Sequence, residues 1–321
     1  MTAMHFNRLP ATTQTGAALL IALLAVALAS LLAMSMVEHA QRDLARTEAL
    51  VNAERAWQYA SGMHGLALDW IEQAERAEAE GANGLIERAL DGRWSTPLPI
   101  PGGSVTGRVF DISGRFNLNA LASPVVEDAV AARLALERLF ESLNLDRNLA
   151  EEITGWIGNG GSTSYSQAQP PYLRAGLPLL HISELNWLQR YNSNTRQRLL
   201  PLVSALPAAQ HRVNINRVSP EVLAAWIDGL TLEQAERVLS SGPFDTLADA
   251  LQQPELAGLN SNDFSRRFSV SSYWFLAQAR VTLNNQPHDF FRLISRTGAR
   301  YDFRYVSVGT QEPMLETYLD P

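Results

Sequence analysis

Cysteine is absent from all 321 residues, and so is lysine, since every one of the 26 cationic residues is arginine. Without cysteine there is no disulfide framework, no thiolate nucleophile and no Cys-based zinc site. The missing lysine reads as a composition bias, because no function that needs guanidinium groups would clear every exposed Lys. Catalytic signatures are missing too: there is no P-loop, no H-E-x-x-H and no G-x-S-x-G. The six His are scattered, and His64 sits at helical spacing where packing explains it. The formal charge of −7 lacks the basic excess of a nucleic-acid binder. The length allows two domains.

A long charge-free run stands near the amino terminus. In residues 1–16 Arg8 is the one charged side chain, and from Ala17 to Val37 there is none, with Ser30 and Ser35 as polar breaks. At 1.5 Å per residue this run spans about 31 Å, enough for a hydrocarbon core of about 30 Å. Charges enter at once beyond it, at Glu38, Arg42, Asp43, Arg46 and Glu48. Ala53, Trp57, Ala60, His64, Leu68 and Ile71 then keep helical spacing, and no proline occurs between Ala17 and Gly81. The pattern predicts a membrane helix over 17–37 that continues as an amphipathic stalk helix, stalk and linker together spanning 38–96. Gly62 and Gly65 weaken its middle, and Gly81 with Asn83-Gly84 ends it. A second reading takes the same run as a secretory signal, with Arg8 as its basic flank and a cut near Ala27-Leu28-Ala29. Apolar residues past that cut, Leu31, Leu32, Met34 and Val37, speak against it. A third reading is an uncleaved anchor of unrelated function.

Beyond the stalk, Pro97, Pro99, Pro101, Gly102 and Gly103 predict a stiff linker. Val105, Val109 and Phe110 predict one strand, and Phe116 with Leu118 a second. The text then turns helical from Ser123-Pro124 to about residue 265. It becomes strand-like again from Phe268, with turns at Asn284-Asn285-Gln286-Pro287 and Thr297-Gly298. Strands, helices, then strands predict an α+β fold. Its sheet module is 97–120 with 266–321, and an all-helical domain, 121–265, is inserted into it. Phe116-Asn117-Leu118-Asn119 before Ser123-Pro124 is echoed by Val213-Asn214-Ile215-Asn216 before Ser219-Pro220. In each, Ser is expected to cap a helix that opens on Pro, with the Asn side chains fixing backbone turns.

Thr15-Gly16-Ala17-Ala18-Leu19-Leu20-Ile21 resembles the processing site of type IV pilin-like proteins. The resemblance implies a leader of residues 1–16, cleavage by a prepilin peptidase after Gly16, and Ala17 as the methylated new terminus. The pattern departs at the fifth mature position, where most pilins carry Glu and this chain has Ile21. In that family the Glu pairs with the terminal amine of the subunit ahead, and an unpaired acid in mid-bilayer costs roughly 2.5–3.5 kcal/mol. An apolar residue suits a subunit with none ahead of it. Asp111-Ile112-Ser113-Gly114-Arg115-Phe116-Asn117-Leu118-Asn119, Ile182-Ser183-Glu184-Leu185, Val213-Asn214-Ile215-Asn216 and Ser271-Ser272-Tyr273-Trp274-Phe275 are similar to segments of the type II secretion minor pseudopilin K family. That resemblance implies a pilin-like fold with a long N-terminal helix and a large helical insertion. It implies a non-enzymatic role at the tip of the secretion pseudopilus. It also implies a single-pass place in the inner membrane with the body in the periplasm. Its partners would be the other minor pseudopilins, the major pseudopilin, the assembly platform and the prepilin peptidase.

Two further motifs have competing readings. Residues 213–251 also resemble a helix-hairpin-helix unit, and an anchored DNA-capturing module is the alternative function. Its hairpin, Ile227-Asp228-Gly229-Leu230-Thr231-Leu232-Glu233, carries two acids and no cation, the wrong sign for phosphate. Relatives of minor pseudopilin K carry an aspartate-rich loop after a Trp-Ile pair that resembles a calcium site. Here Trp156-Ile157 leads into Gly158-Asn159-Gly160-Gly161-Ser162-Thr163-Ser164, without an acid. Calcium wants six to eight oxygens, several from carboxylates. No cofactor is therefore expected.

Overall fold

The computed structural model describes residues 15–79, 90–157, 171, 176–207, 212–297 and 300–308. The leader residues 1–14, the predicted stalk end at Gly81–Gly84, the loop 158–170 and Gly298 lie outside them. The first element is one helix, α1 (Thr15–Ala79), running without a break through Gly62 and Gly65. The chain divides after Arg55 into two compact units.

In the first unit, the described side chains of the helix are exposed apart from the half-buried Asn52. In the second, α1 becomes amphipathic. Ala56, Ala60, Met63, Ala67, Ile71 and Ala74 are buried at spacings of three and four residues, one stripe of a 3.6-period helix. The stripe packs on a five-stranded antiparallel sheet of β1 (Leu98–Ile100), β2 (Gly103–Asp111), β7 (Trp274–Leu283), β8 (Gln286–Thr297) and β9 (Arg300–Val308), in that spatial order. Alternate residues of β2 and β7, Val105, Val109, Phe275, Ala277 and Ala279, face the helix. Phe110, Leu276, Phe291 and Leu293 point the other way, into the core of the helical insertion. Gly107 sits under the helix, where a Cβ would lie 2.5 Å from the Met63 sulfur.

The proline-rich linker is partly strand. Leu98, Pro99 and Ile100 pair with Val105, Ser104 and Gly103, and Pro101-Gly102 makes the turn, with Gly102 at φ +86°. Proline is tolerated there because β1 is an edge strand. The expected β7–β8 turn is a two-residue hairpin in which Asn284 and Asn285 both have positive φ (49° and 65°), the geometry that matches strand twist.

The insertion differs from expectation at its start. Phe116 and Leu118 do not form a strand of the main sheet. Only Phe116–Asn117 is extended (β3), and it pairs in parallel with Val203–Ser204 (β4). The Asn117 side chain then accepts from the Asn119 amide and turns the chain into a 3-10 helix over Leu118–Ala122. The second half repeats the plan: Val213–Asn214 (β5) pairs in parallel with Phe268–Ser269 (β6), and the Asn214 side chain accepts from Asn216. Each half carries a helical hairpin. The first is α2 (Val126–Ser142) and α3 (Arg147–Ile157), turning at Asn144 (φ 51°). The second is α5 (Pro220–Trp226) and α6 (Leu232–Ser240), turning at Gly229 (φ 76°). Between them lies α4 (Ser193–Leu199), and α7 (Leu247–Leu251) and α8 (Ser261–Arg267) close the second half. The two proline-led starts differ. Ser219 caps α5, whose first residue is Pro220, whereas Ser123 holds only the Val125 amide and α2 begins at Val126 without a side-chain cap.

Candidate functional site

The functional expectations fall on the start of α1; the structure adds two places, the sheet-facing stripe of α1 and the joint between sheet and insertion. Gly16 and Ala17 lie in the first turn of α1, and Ile21 follows one turn later with 67 % of its surface exposed. Leu24, Leu28, Leu31 and Leu32 are exposed likewise. The helix is long and apolar enough to cross a membrane, with a mean hydropathy of 2.6 in its most apolar window.

On the stripe, His64 is fully buried against the sheet, beside the Phe290 backbone and the Arg292 guanidinium. Burial, and then the nearby Arg292 guanidinium, lower its pKa to about 4. The ring is therefore neutral at pH 7. Arg296 joins β8 to α1 through an ion pair with Glu75 at 2.9 Å.

At the joint, the chain leaves the sheet at Asp111 and returns to it at Trp274. The Ser113 hydroxyl accepts from the Tyr273 and Trp274 amides, both at 3.0 Å, while the Trp274 carbonyl accepts from the Ile112 amide at 3.1 Å. Asp111 accepts from the Ser113 amide and the Ser272 hydroxyl, and pairs with Arg217 at 3.4 Å. Burial pushes the Asp111 carboxyl up, against the pull of Ser272, Ser113 and Arg217. Gly114 passes so close to the second half that a Cβ there would lie 2.0 Å from the Arg217 carbonyl oxygen. A cleft of about 260 Å³ opens beside this joint, lined by Asp111, Arg217, Ser272 and the Glu75–Arg296 pair. The sequence pattern does not distinguish Asp111 or Ser272 from solvated polar residues, and the joint was not among the expected sites.

The second hairpin presents no phosphate cradle. Asp228 is exposed and pairs with Arg138 of α2 at 3.4 Å, and the same Arg138 donates to the Ala225 carbonyl at 2.7 Å. Arg237 also reaches this hairpin, pairing with Glu233 at 3.2 Å and with Glu255 at 2.9 Å, so both cations are held by the protein's own acceptors. Among the described residues no group of three or more His, Cys, Asp and Glu is placed to hold a metal ion. The acid-free loop beginning at Gly158, with Arg174, is outside those residues.

Two profiles, both described as type II secretion system protein K, match the chain at residues 114–208 and 213–271. They meet where the two halves of the insertion meet. A relative from Aeromonas hydrophila named type II secretion system protein K is 30 % identical over 259 residues, 72 % of this chain and 76 % of that protein. The chain belongs to the type II secretion system protein K family. The protein K of Pectobacterium carotovorum subsp. carotovorum is 28 % identical over 315 residues, covering 89 % of this chain and 94 % of its own. A chain from the crystal structure of the GspK-GspI-GspJ complex of enterotoxigenic Escherichia coli shares the fold. Its TM-score is 0.65 at 23 % identity, over 83 % of this chain and all of that one. Family membership makes the chain a component of a secretion machine and accounts for the pilin-like layout of long helix and antiparallel sheet.

Proposed function

We propose that this protein is the minor pseudopilin that caps the type II secretion pseudopilus, acting by assembly and without catalysis. The observation that carries the reading is α1. It is one unbroken helix whose first part is charge-free and exposed and whose last part is packed on a sheet. Such a helix anchors a folded body to the inner membrane, with the body in the periplasm, and offers its apolar length to neighbouring helices. Prepilin peptidase cuts between Gly16 and Ala17. Ile21, in place of the usual pilin Glu, needs no partner amine, which suits the first subunit. The bulk of the insertion then blocks addition above it. The solved relative was crystallised as a GspK-GspI-GspJ complex, and the corresponding minor pseudopilins are the partners proposed here, followed by the major pseudopilin and the assembly platform. Export of folded proteins across the outer membrane is the process served.

The test is the mature amino terminus. Mass spectrometry should find Ala17 first in wild type, and Gly16→Ala should leave the leader attached and abolish secretion. A mature protein beginning at Ser30, or unchanged secretion by Gly16→Ala, ends this reading.

A further inference from the structure

From the last residue of the charge-free run towards the sheet-packed stripe, α1 carries a second pattern, apolar apart from Thr47. Val37, Ala40, Leu44, Thr47 and Val51 follow one another at spacings of 3, 4, 3 and 4 residues, the a and d positions of two heptads. All five are exposed, with Val37 at 55 %, Leu44 at 62 % and Val51 at 47 %. The Glu38–Arg42 ion pair, 3.0 Å, lies outside the seam, on the polar side of the helix. An apolar seam with its charges moved off it is built for another helix, not for water.

The flanking residues say which helix. In a parallel pair, residue g of one strand meets residue e of the other in the next heptad, which here gives Met36 with Gln41, Asp43 with Glu48, and Leu50 with Arg55. A second copy of this chain would set Asp43 against Glu48 twice, once on each side, and no other flanking pair would offset the repulsion. Opposite charges at those places would attract. We infer that the seam Val37–Val51 docks a parallel helix of a different chain, one that presents Arg or Lys to Asp43 and Glu48, and that it rejects a second copy of itself. The inference rests on the proposed function, which supplies neighbouring helices anchored at the same end and therefore parallel. Two heptads are too short for a stable coiled coil in water. Tethering in one membrane raises the effective concentration enough for so short a seam to select its partner.

The chain has no native thiol, so a single cysteine reports self-contact. In membranes of a secreting strain, full-length Leu44→Cys oxidised with copper phenanthroline should give little disulfide-linked dimer. Asp43→Arg with Leu44→Cys turns both repulsive pairs into attractive ones and should raise that dimer about tenfold. A photo-crosslinking phenylalanine analogue in place of Leu44 should capture another pilin-like chain. That adduct should fall several-fold with Glu48→Arg and stay unchanged with Glu38→Arg, on the far face. Equal self-dimer with and without Asp43→Arg overturns the inference, as does an adduct indifferent to Glu48→Arg or the absence of any adduct at position 44. The amino terminus of each variant separates the two failures. If Ala17 is not first, the proposed function has failed; if it is first and Leu44→Cys pairs with itself, only the seam has.

Discussion

Asn216 holds the backbone of Phe244 at both ends: its side-chain oxygen accepts the Phe244 N–H at 2.8 Å, and its side-chain nitrogen donates to the Phe244 carbonyl at 2.9 Å. Asn119 does the same for Leu179 in the first half, at 2.7 and 2.9 Å. Each asparagine thus replaces a stretch of sheet with one side chain, and each holds a segment far off in sequence. Asn216→Ala leaves a partly buried donor and acceptor unpaired, at about 1–2 kcal/mol for each group. The expected result is a loss of about 2–4 kcal/mol, read as a lowered Tm of the full chain in detergent. Asn216→Asp keeps the acceptor and should fall between. If Asn216→Ala melts like wild type, the clamp contributes nothing.

These asparagines mark the limit of what was legible in the sequence. Local signals were readable: the Asn-Asn hairpin at 284–285, the Ser219-Pro220 helix start, and the change from charge-free to amphipathic text along α1. The local half of the asparagine role was readable as well, since the bonds from Asn117 to Asn119 and from Asn214 to Asn216 span two residues. The long-range half was not, because Leu179 and Phe244 carry no mark of being held. For the same reason Phe116–Asn117 looked like sheet when its partner is Val203–Ser204, 87 residues on. The strand β1 was hidden by its prolines, which fit only because it is an edge.

Two glycine substitutions should move stability in opposite directions. At Gly114 a Cβ would meet the backbone of Arg217 at 2.0 Å, and neither element can yield without opening the joint. Gly114→Ala is expected to destabilise by more than about 3 kcal/mol, the range of severe core overpacking. Gly62 lies within α1, and a methyl group added there would have nothing within 4 Å, so Gly62→Ala should stabilise by about 0.5–1 kcal/mol. Urea titration of both variants checks the pair. A tolerated Gly114→Ala would mean that the two halves are not held as close as described.

His64 makes the packing of α1 on the sheet sensitive to acid. Its pKa is about 4 in the folded protein against 6.5 in the unfolded chain. Below pH 6.5 the unfolded chain binds a proton that the folded protein does not, so stability falls as the pH drops from about 6.5 to 4. The whole loss from this group is about 3 kcal/mol. Asp111, shifted upward, acts in the opposite sense, so the clean readout is a difference between variants. His64→Leu should lose less stability than wild type between pH 7.5 and 4.5. Parallel pH profiles for the two proteins would show that His64 is charged in the fold.

Metal removal should have no effect. The segment 158–164 offers no carboxylate, and calcium held by neutral oxygens alone is weak. We propose that the insertion is held by its two asparagine clamps and its apolar core without calcium. The expected outcome is the same Tm in excess EDTA and in millimolar calcium. A calcium-dependent rise would place a site among residues outside those described.

The proposed place of the chain, as the capping subunit of a filament, is tested at Ile21. An acid introduced there lies in the exposed, charge-free part of α1 and costs roughly 2.5–3.5 kcal/mol unless a neighbouring amine pairs with it. A subunit inside a filament has such an amine, the new terminus of the subunit ahead; a capping subunit has none. Ile21→Glu should therefore lower secretion sharply while leaving cleavage at Gly16 intact, and Ile21→Leu should be neutral. The cleavage readout matters, since loss of processing would explain a secretion defect without reference to position. Full secretion by a correctly processed Ile21→Glu protein would mean that the acid finds a partner, and that the chain sits below another subunit.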